Sequence, residues 1–321
     1  MNKKTLILIA TATMAASSQA QILFSENFQT NQTANWSFFS SIANDTPSIS
    51  DLGAVADFFF DYGAIGIPNA PNSGSGDTRG LKMQANVRGT GIFSGMSVSL
   101  NGQSFTGDYT LRFDAWQSFQ GPFPNGGSGT TQLMMGGVGA TTSLQFQGGP
   151  LNGFAVGATQ DGGSATDFRM YNNGSGVQVG TYIAGSQNNT HAYYSQFQGT
   201  VPAAQTTWAQ GQGFNSQFGS TNVGVLGMAW RRWEIRKEGT RVDWFVDGLH
   251  IGFHTNVQFG GDNIFLAFAD TNSGSSTDVI SDQLLFGLID NVEVEAIPEP
   301  GTMVLLAGLG LAAIARKRKS A

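Results

Sequence analysis

Two pairs of carboxylates have a spacing suited to acid–base work. Asp243 and Asp247 are four residues apart, and Glu293 and Glu295 are two apart, so each pair shares one face of an extended strand. Two carboxyl groups held about 5–5.5 Å apart, one acid and one nucleophile, cleave glycosidic bonds with retention. Asp247 precedes Gly248, however, and an Asp-Gly dipeptide serves a tight turn. Glu293 and Glu295 abut a proline-bearing segment and read as solvated charge at a strand end. The expectation is that the chain is not an enzyme.

Histidine and cysteine narrow the chemistry further. His250 and His254 would project from one face of a strand about 13 Å apart, at ~3.3 Å per residue, too far for one metal ion. His191 stands alone in a polar stretch. With no cysteine and no Gly-x-Ser-x-Gly elbow, disulfides, thiolate sites and nucleophilic triads have no support. Oxygen donors are plentiful, and hard cations take such ligands. Asp262-Asn263 and Asp270-Thr271-Asn272 are oxygen-rich turns that could supply calcium ligands. Trp116, Trp208, Tyr193 and Tyr194, together with Trp36, lie near polar stretches and are candidate platforms for stacking sugar rings. Of Trp230, Trp233 and Trp244, at least one must be core.

These residues sit on segments that read as strands. Tyr109, Leu111, Phe113 and Ala115 alternate with Thr110, Arg112 and Asp114, the period of a half-buried strand. Trp233 and Ile235 alternate with Arg232, Glu234 and Arg236; Val242, Trp244 and Val246 alternate with Asp243 and Phe245; Asp247-Gly248 then predicts a two-residue hairpin turn. Further strands are expected over 22–28, 80–87, 131–135, 153–159, 168–171, 249–255, 263–269 and within 284–294, and long loops over 185–221. No helix of three turns and no fixed-period repeat is evident.

The chain ends carry a different message. Lys3-Lys4, the apolar run Leu6 to Ala10 and the small-x-small Ser18-Gln19-Ala20 read as a signal peptide, residues 1–20, cut by signal peptidase. At the other end stand Pro298-Glu299-Pro300, an uncharged apolar run from Thr302 to Ala315, and Arg316-Lys317-Arg318-Lys319. The prolines break the preceding fold, the run is shorter than the about 20 residues of an uninterrupted span, and the basic end favours the cytoplasmic side. This tail, residues 297–321, resembles the PEP-CTERM sorting signal of Gram-negative bacteria. The resemblance implies a short transmembrane sorting helix in the inner membrane, processing by the membrane protease-transpeptidase exosortase, and export to the cell envelope, outer surface or an extracellular polysaccharide matrix.

Without both ends, the 16 basic and 22 acidic residues fall to 10 and 21, because Lys3, Lys4, Arg316, Lys317, Arg318, Lys319 and Glu299 leave with them. A net charge of −11 over 21–297 repels nucleic acid and suits neutral glycans or divalent cations. The 24 Phe and 6 Trp argue for a packed core.

Residues 21–296 are expected to form one all-β, antiparallel β-sandwich. Trp233-Glu234-Ile235-Arg236, Val242 to Gly248 and Leu288-Ile289-Asp290-Asn291-Val292-Glu293-Val294 resemble the concanavalin A-like jelly roll of lectins and glucanases. The glucanases of that class carry Glu-x-Asp-x-x-Glu on one strand face, and this chain has no such pattern. Carbohydrate-binding jelly rolls place calcium between their first and last strands, where Glu26 and Asp290-Asn291 fall. The reading is an exported, non-catalytic envelope or matrix protein with weak polysaccharide binding. The alternatives are a calcium-dependent lectin-like module and a divergent glycoside hydrolase or lyase.

Overall fold

The computed structural model describes residues 20–41, 53–85, 94–124, 132–178, 181–271 and 283–298. The signal peptide, the apolar C-terminal run and Glu299, Pro300, Arg316, Lys317 and Arg318 lie outside the described residues, apart from Ala20, and Pro298 lies within them. Among the described residues no helix is long and apolar enough to cross a membrane. One compact unit runs from Ile22 to Ala296.

Among the described residues, fifteen strands build it. They are β1 (Ile22–Glu26), β2 (Trp36–Ser40), β3 (Ala54–Asp61), β4 (Arg79–Ala85), β5 (Ser94–Leu100), β6 (Tyr109–Ser118), β7 (Gln132–Ala140), β8 (Phe154–Thr159), β9 (Phe168–Asn172), β10 (Ser175–Gly176), β11 (Arg231–Glu238), β12 (Arg241–Val246), β13 (Leu249–His254), β14 (Asn263–Asp270) and β15 (Phe286–Ala296). Sheet A runs β13-β12-β11-β6-β15-β4-β3, with β1 also on β15; sheet B runs β10-β9-β8-β7-β14-β5-β2. Every pairing is antiparallel, and β4 to β7, like β14 and β15, alternate between the sheets along the chain. The architecture is an all-β, jelly-roll-like sandwich, a double-sheet solution that limits open edges.

The inner faces follow from the alternation. Phe113, Trp233, Ile235 and Trp244 of sheet A point at sheet B and are essentially fully buried. The Phe113 and Trp233 rings lie 5.6 Å apart and Trp233 and Trp244 5.2 Å apart. Gly136 of β7 makes room for them, since a Cβ there would stand 2.8 Å from the Phe113 ring. The hairpin turn forms as expected, with φ of 49° at Asp247 and 77° at Gly248.

Three differences from the sequence expectation have physical causes. β2, β3 and β5 were not anticipated, because Ser, Gly and a run of Phe obscure the two-residue period. The polar 185–221 stretch contains a helix, α1 (Ala203–Gly211), whose Ala and Gln residues favour helix but are interrupted by Thr206, Thr207 and Trp208 and carry no strong apolar stripe. Finally, a bulge between Trp244 and Phe245 in the β12–β13 pairing turns His250 and His254 to opposite faces. His250 stacks on outward-facing Phe245 at 4.4 Å, whereas His254 lies over Phe154 of sheet B at 6.2 Å and 3.2 Å from Asn172 Nδ2. The two imidazoles do not share a face.

Candidate functional site

The site grows from one irregularity in the last strand. On β15, Ile289 points into the core and Asp290 outward, and strict alternation would then turn Val292 to solvent. Asn291 takes the left-handed conformation, φ 49°, and the pairing with β6 shifts between Asp290 and Glu293. This extra residue resets the pleat, so that Val292 and Val294 are buried while Glu293 and Glu295 face outward. The same point is where the partner of β15 changes, from β4 at residues 287–289 to β1 beyond.

Asp290 is paired with Asp114 across the β6–β15 ladder, and neither is exposed. The 62–78 segment covers both. The Asn72 side-chain amide donates to Asp114 Oδ1 and Oδ2 at 2.8 and 3.1 Å, and the Asn72 backbone N–H donates to Oδ2 at 3.2 Å. The Asn291 amide donates to Asp114 Oδ2 at 2.9 Å and to Ser73 Oγ at 2.8 Å. Ser73 Oγ donates to Asp290 Oδ2 at 2.8 Å, Tyr62 Oη lies 2.9 Å from the same oxygen, and the Asn291 backbone N–H donates to Oδ1 at 2.7 Å. Arg232 Nη1 bonds the Asn291 carbonyl oxygen at 2.9 Å and lies 3.4 Å from Asp114 Oδ1.

Burial pushes the Asp290 carboxyl up to about 6; the Ser73, Tyr62 and Asn291 donors act against that, and the Asp114 charge adds to it. Burial, followed by the Asp290 charge, pushes the Tyr62 phenol up as well.

Beside this buried cluster lies an open polar groove of about 520 Å³, walled by β1, the 27–35 segment and the bulge. Glu26, Asn27, Gln32, Asn35, Asn72, Arg232, Asn291 and Glu293 line it. Glu26 is only 9% exposed; its Oε1 accepts the Phe28 backbone N–H at 2.7 Å, and burial raises its pKa despite that bond.

The expected calcium trio therefore divides. Glu26 and Asn291 reach the groove, but the Asp290 oxygens are taken up by Tyr62, Ser73 and the Asn291 N–H, and Asp290 does not line the groove. Among the described residues no group of three or more His, Asp or Glu gathers to hold a metal ion. An arginine beside the cluster adds a fixed positive charge. These residues, as arranged, do not fit a calcium ion at Asp290.

Further along the same outer face, Arg112 anchors a network. Its Nε bonds Glu234 Oε2 at 2.8 Å, its Nη1 bonds Glu295 and lies 3.5 Å from Glu293, and Arg236 holds the other Glu234 oxygen at 2.7 Å. Burial would raise the Glu234 pKa, but Arg112 and Arg236 outweigh it and hold the carboxyl below its ordinary value. Glu293 and Glu295 thus belong to a cross-strand ion network and are not isolated edge charge. Asp243 accepts from Arg241 Nε and Nη2, each at 2.6 Å, and lies 2.9 Å from His250 Nε2, while Asp247 caps the neighbouring turn through Arg231 and the Arg232 N–H.

The aromatic platforms also divide. Trp116 is 2% exposed, packed edge-on against Trp230 at 5.9 Å over the outer face of sheet A, and Tyr194 is fully buried with its ring 4.1 Å from Phe168. Trp36 is buried among Phe24, Phe28 and Phe58. These three are core, so they cannot stack on a sugar. Trp208, on α1 against Phe214, and Tyr193, whose hydroxyl donates to the His250 carbonyl at 2.8 Å, remain half-exposed and are not among the residues that line the groove. Sequence reasoning singled out Glu26 and Asn291 of this lining but not Gln32, Asn35, Asn72 and Arg232, which are scattered along the chain.

Residues 296–319 match the family model described as the PEP-CTERM protein-sorting motif. That motif marks an exported protein sorted to the cell envelope and processed by exosortase. No curated protein sequence matches the chain. Among solved structures, the chain is similar to a prokaryotic β-1,3-1,4-glucanase (lichenase) from a mouse hindgut metagenome, at 10% identity over 85% of this chain and 99% of that one, TM-score 0.41. It is similar to the Bacillus licheniformis β-glucanase, at 11% identity over 88% and 100%, TM-score 0.40. It is also similar to the Ca2+-bound exoplasmic/lumenal domain of VIP36, at 11% identity over 86% and 90%, TM-score 0.42. At this identity the likeness concerns fold alone.

Proposed function

We propose that this is a non-catalytic protein of the envelope or of an extracellular polysaccharide matrix, which contacts polysaccharide weakly through its sandwich. The observation that carries the reading is the fate of the outward carboxylates of sheet A. Asp114 and Asp290 are sealed beneath residues 62–78, and Glu234, Glu293 and Glu295 are tied to Arg112. A retaining or inverting glycosidase needs one carboxyl group to give up a proton to the leaving group and a second to attack or activate water, both open to substrate. The acidic domain suits an uncharged polymer. Signal peptidase and exosortase would trim the two ends, with the C-terminal run held in the inner membrane until sorting.

Two measurements test it. Incubation with a panel of soluble polysaccharides should release no reducing sugar; release that disappears in Asp114→Asn or Asp290→Asn would make the protein a hydrolase. In cells, replacing Pro298-Glu299-Pro300 by alanines should leave the unprocessed chain in the membrane fraction; unaltered processing and release would end the sorting reading.

A further inference from the structure

We infer that the groove between β1, the 27–35 segment and the β15 bulge is a binding site for an uncharged saccharide. The inference rests on the matrix reading and assigns that contact a place. Its volume, about 520 Å³, falls within the range of small-ligand pockets, roughly 300–1,000 Å³.

The charges of the lining select the ligand. Glu26 and Glu293 repel an anion. Arg232 lines the same groove, and its guanidinium, pinned between Asp114 and the Asn291 carbonyl, repels a cation. What the lining offers is hydrogen bonding of both senses. Among the described residues, Asn27 Nδ2 has no partner and can donate, while Asn35 Oδ1 and Asn72 Oδ1 have none and can accept; Glu26 Oε2, on a side chain nine-tenths buried, has no cationic partner. The Phe28 and Asn27 backbone N–H groups already bond the Glu26 carboxylate, and a hydroxyl from the groove side adds a further donor without adding charge. A sugar hydroxyl donates and accepts at once, which matches an amide set next to a carboxylate. Backbone strain is already spent on the frame: Phe28, at φ 55°, and Asn291 hold Glu26 and the bulge in place.

The test uses the full chain in affinity electrophoresis through gels holding neutral glucans, mannan or xylan. Wild type should be retarded by at least one neutral polymer, and both Glu26→Gln and Asn35→Ala should weaken the binding roughly tenfold, the loss of about one hydrogen bond to a charged or polar group. Glu26→Gln keeps the size of the side chain, and Asn35 is exposed outside the core, so at least one variant folds; circular dichroism checks each. Retardation of wild type and both variants alike would overturn the groove as the site while leaving the matrix reading in place. Absence of retardation by any polymer would remove the polysaccharide contact itself. Binding of calcium alone, seen as a cation-dependent melting shift abolished by Glu26→Gln, would replace the saccharide with a metal and overturn the inference.

Discussion

Asp114 and Asp290 stand opposite each other on neighbouring strands, and neither carboxylate reaches solvent. Burial disfavours the charged form of Asp290, the Asp114 charge beside it adds to that, and Arg232 reaches the Asp114 side. The consequence is a titration that the fold itself reports.

The Asp290 carboxyl sits at about 6 in the folded chain, above the unfolded value near 3.9. The folded state therefore binds more protons than the unfolded state between about pH 4 and pH 6, and stability falls as pH rises through that window. Asp290→Asn removes the titration and keeps the shape. Its urea unfolding free energy should lose that slope, and relative to wild type it should gain on the order of 2–3 kcal/mol between pH 4 and pH 7. A variant whose pH profile parallels wild type would mean that Asp290 ionises normally.

Calcium should leave the protein unmoved. A ion bound only to the folded chain raises the melting midpoint. Because Tyr62, Ser73 and the Asn291 N–H occupy the Asp290 oxygens, millimolar calcium and excess chelator are expected to give the same midpoint by calorimetry. A chelator-sensitive midpoint would restore the Glu26, Asp290 and Asn291 ligand set.

Arg112 holds three glutamates on two neighbouring strands. Arg112→Met leaves Glu234, Glu293 and Glu295 facing one another with only Arg236 in reach, and should cost about 1–2 kcal/mol at low salt, shrinking as salt is added. Arg112→Lys keeps the charge but not the fork and should cost less. Denaturation at two ionic strengths decides; a salt-independent loss would point to lost packing of the arginine stem.

Trp116 and Trp208 should separate cleanly. Trp116→Ala empties a buried site between Trp230 and the outer face of sheet A and should cost about 3–5 kcal/mol. Trp208→Ala removes a half-exposed ring and should cost about 1 kcal/mol or less. Urea midpoints measure both, and equal effects would refute the assignment of Trp116 to the core.

Much of the frame was legible because alternation is a local property. Tyr109 to Ala115, Trp233 to Arg236 and Val242 to Val246 declare their buried faces residue by residue, and Asp247-Gly248 declares its turn. β5 escaped notice because its outward positions are Ser and Gly, which carry little strand preference. Of the candidate site, Glu26 and Asn291 were legible as residues worth watching at the first and last strands and both line the groove, whereas Asp290 is held apart from it by Tyr62 and Ser73. Their roles were not legible, since Asn72, Ser73 and Tyr62 come from a loop more than two hundred residues from Asp290 in the chain.

Sequence by itself determined the address written in Pro298-Glu299-Pro300 and the basic end, the antiparallel class, and which side chains of each regular strand are buried. Tertiary structure alone decided what the polar residues do. The bulges at Asn291 and in the β12–β13 pairing are mismatches between two strands, so they depend on a partner that no single segment specifies. Each one reverses the faces beyond it, which brings Glu293 and Glu295 to Arg112 and parts His250 from His254. Burial of Asp290 likewise comes from a distant loop closing over it, and burial sets whether a carboxylate is charged, capped or free to meet a ligand.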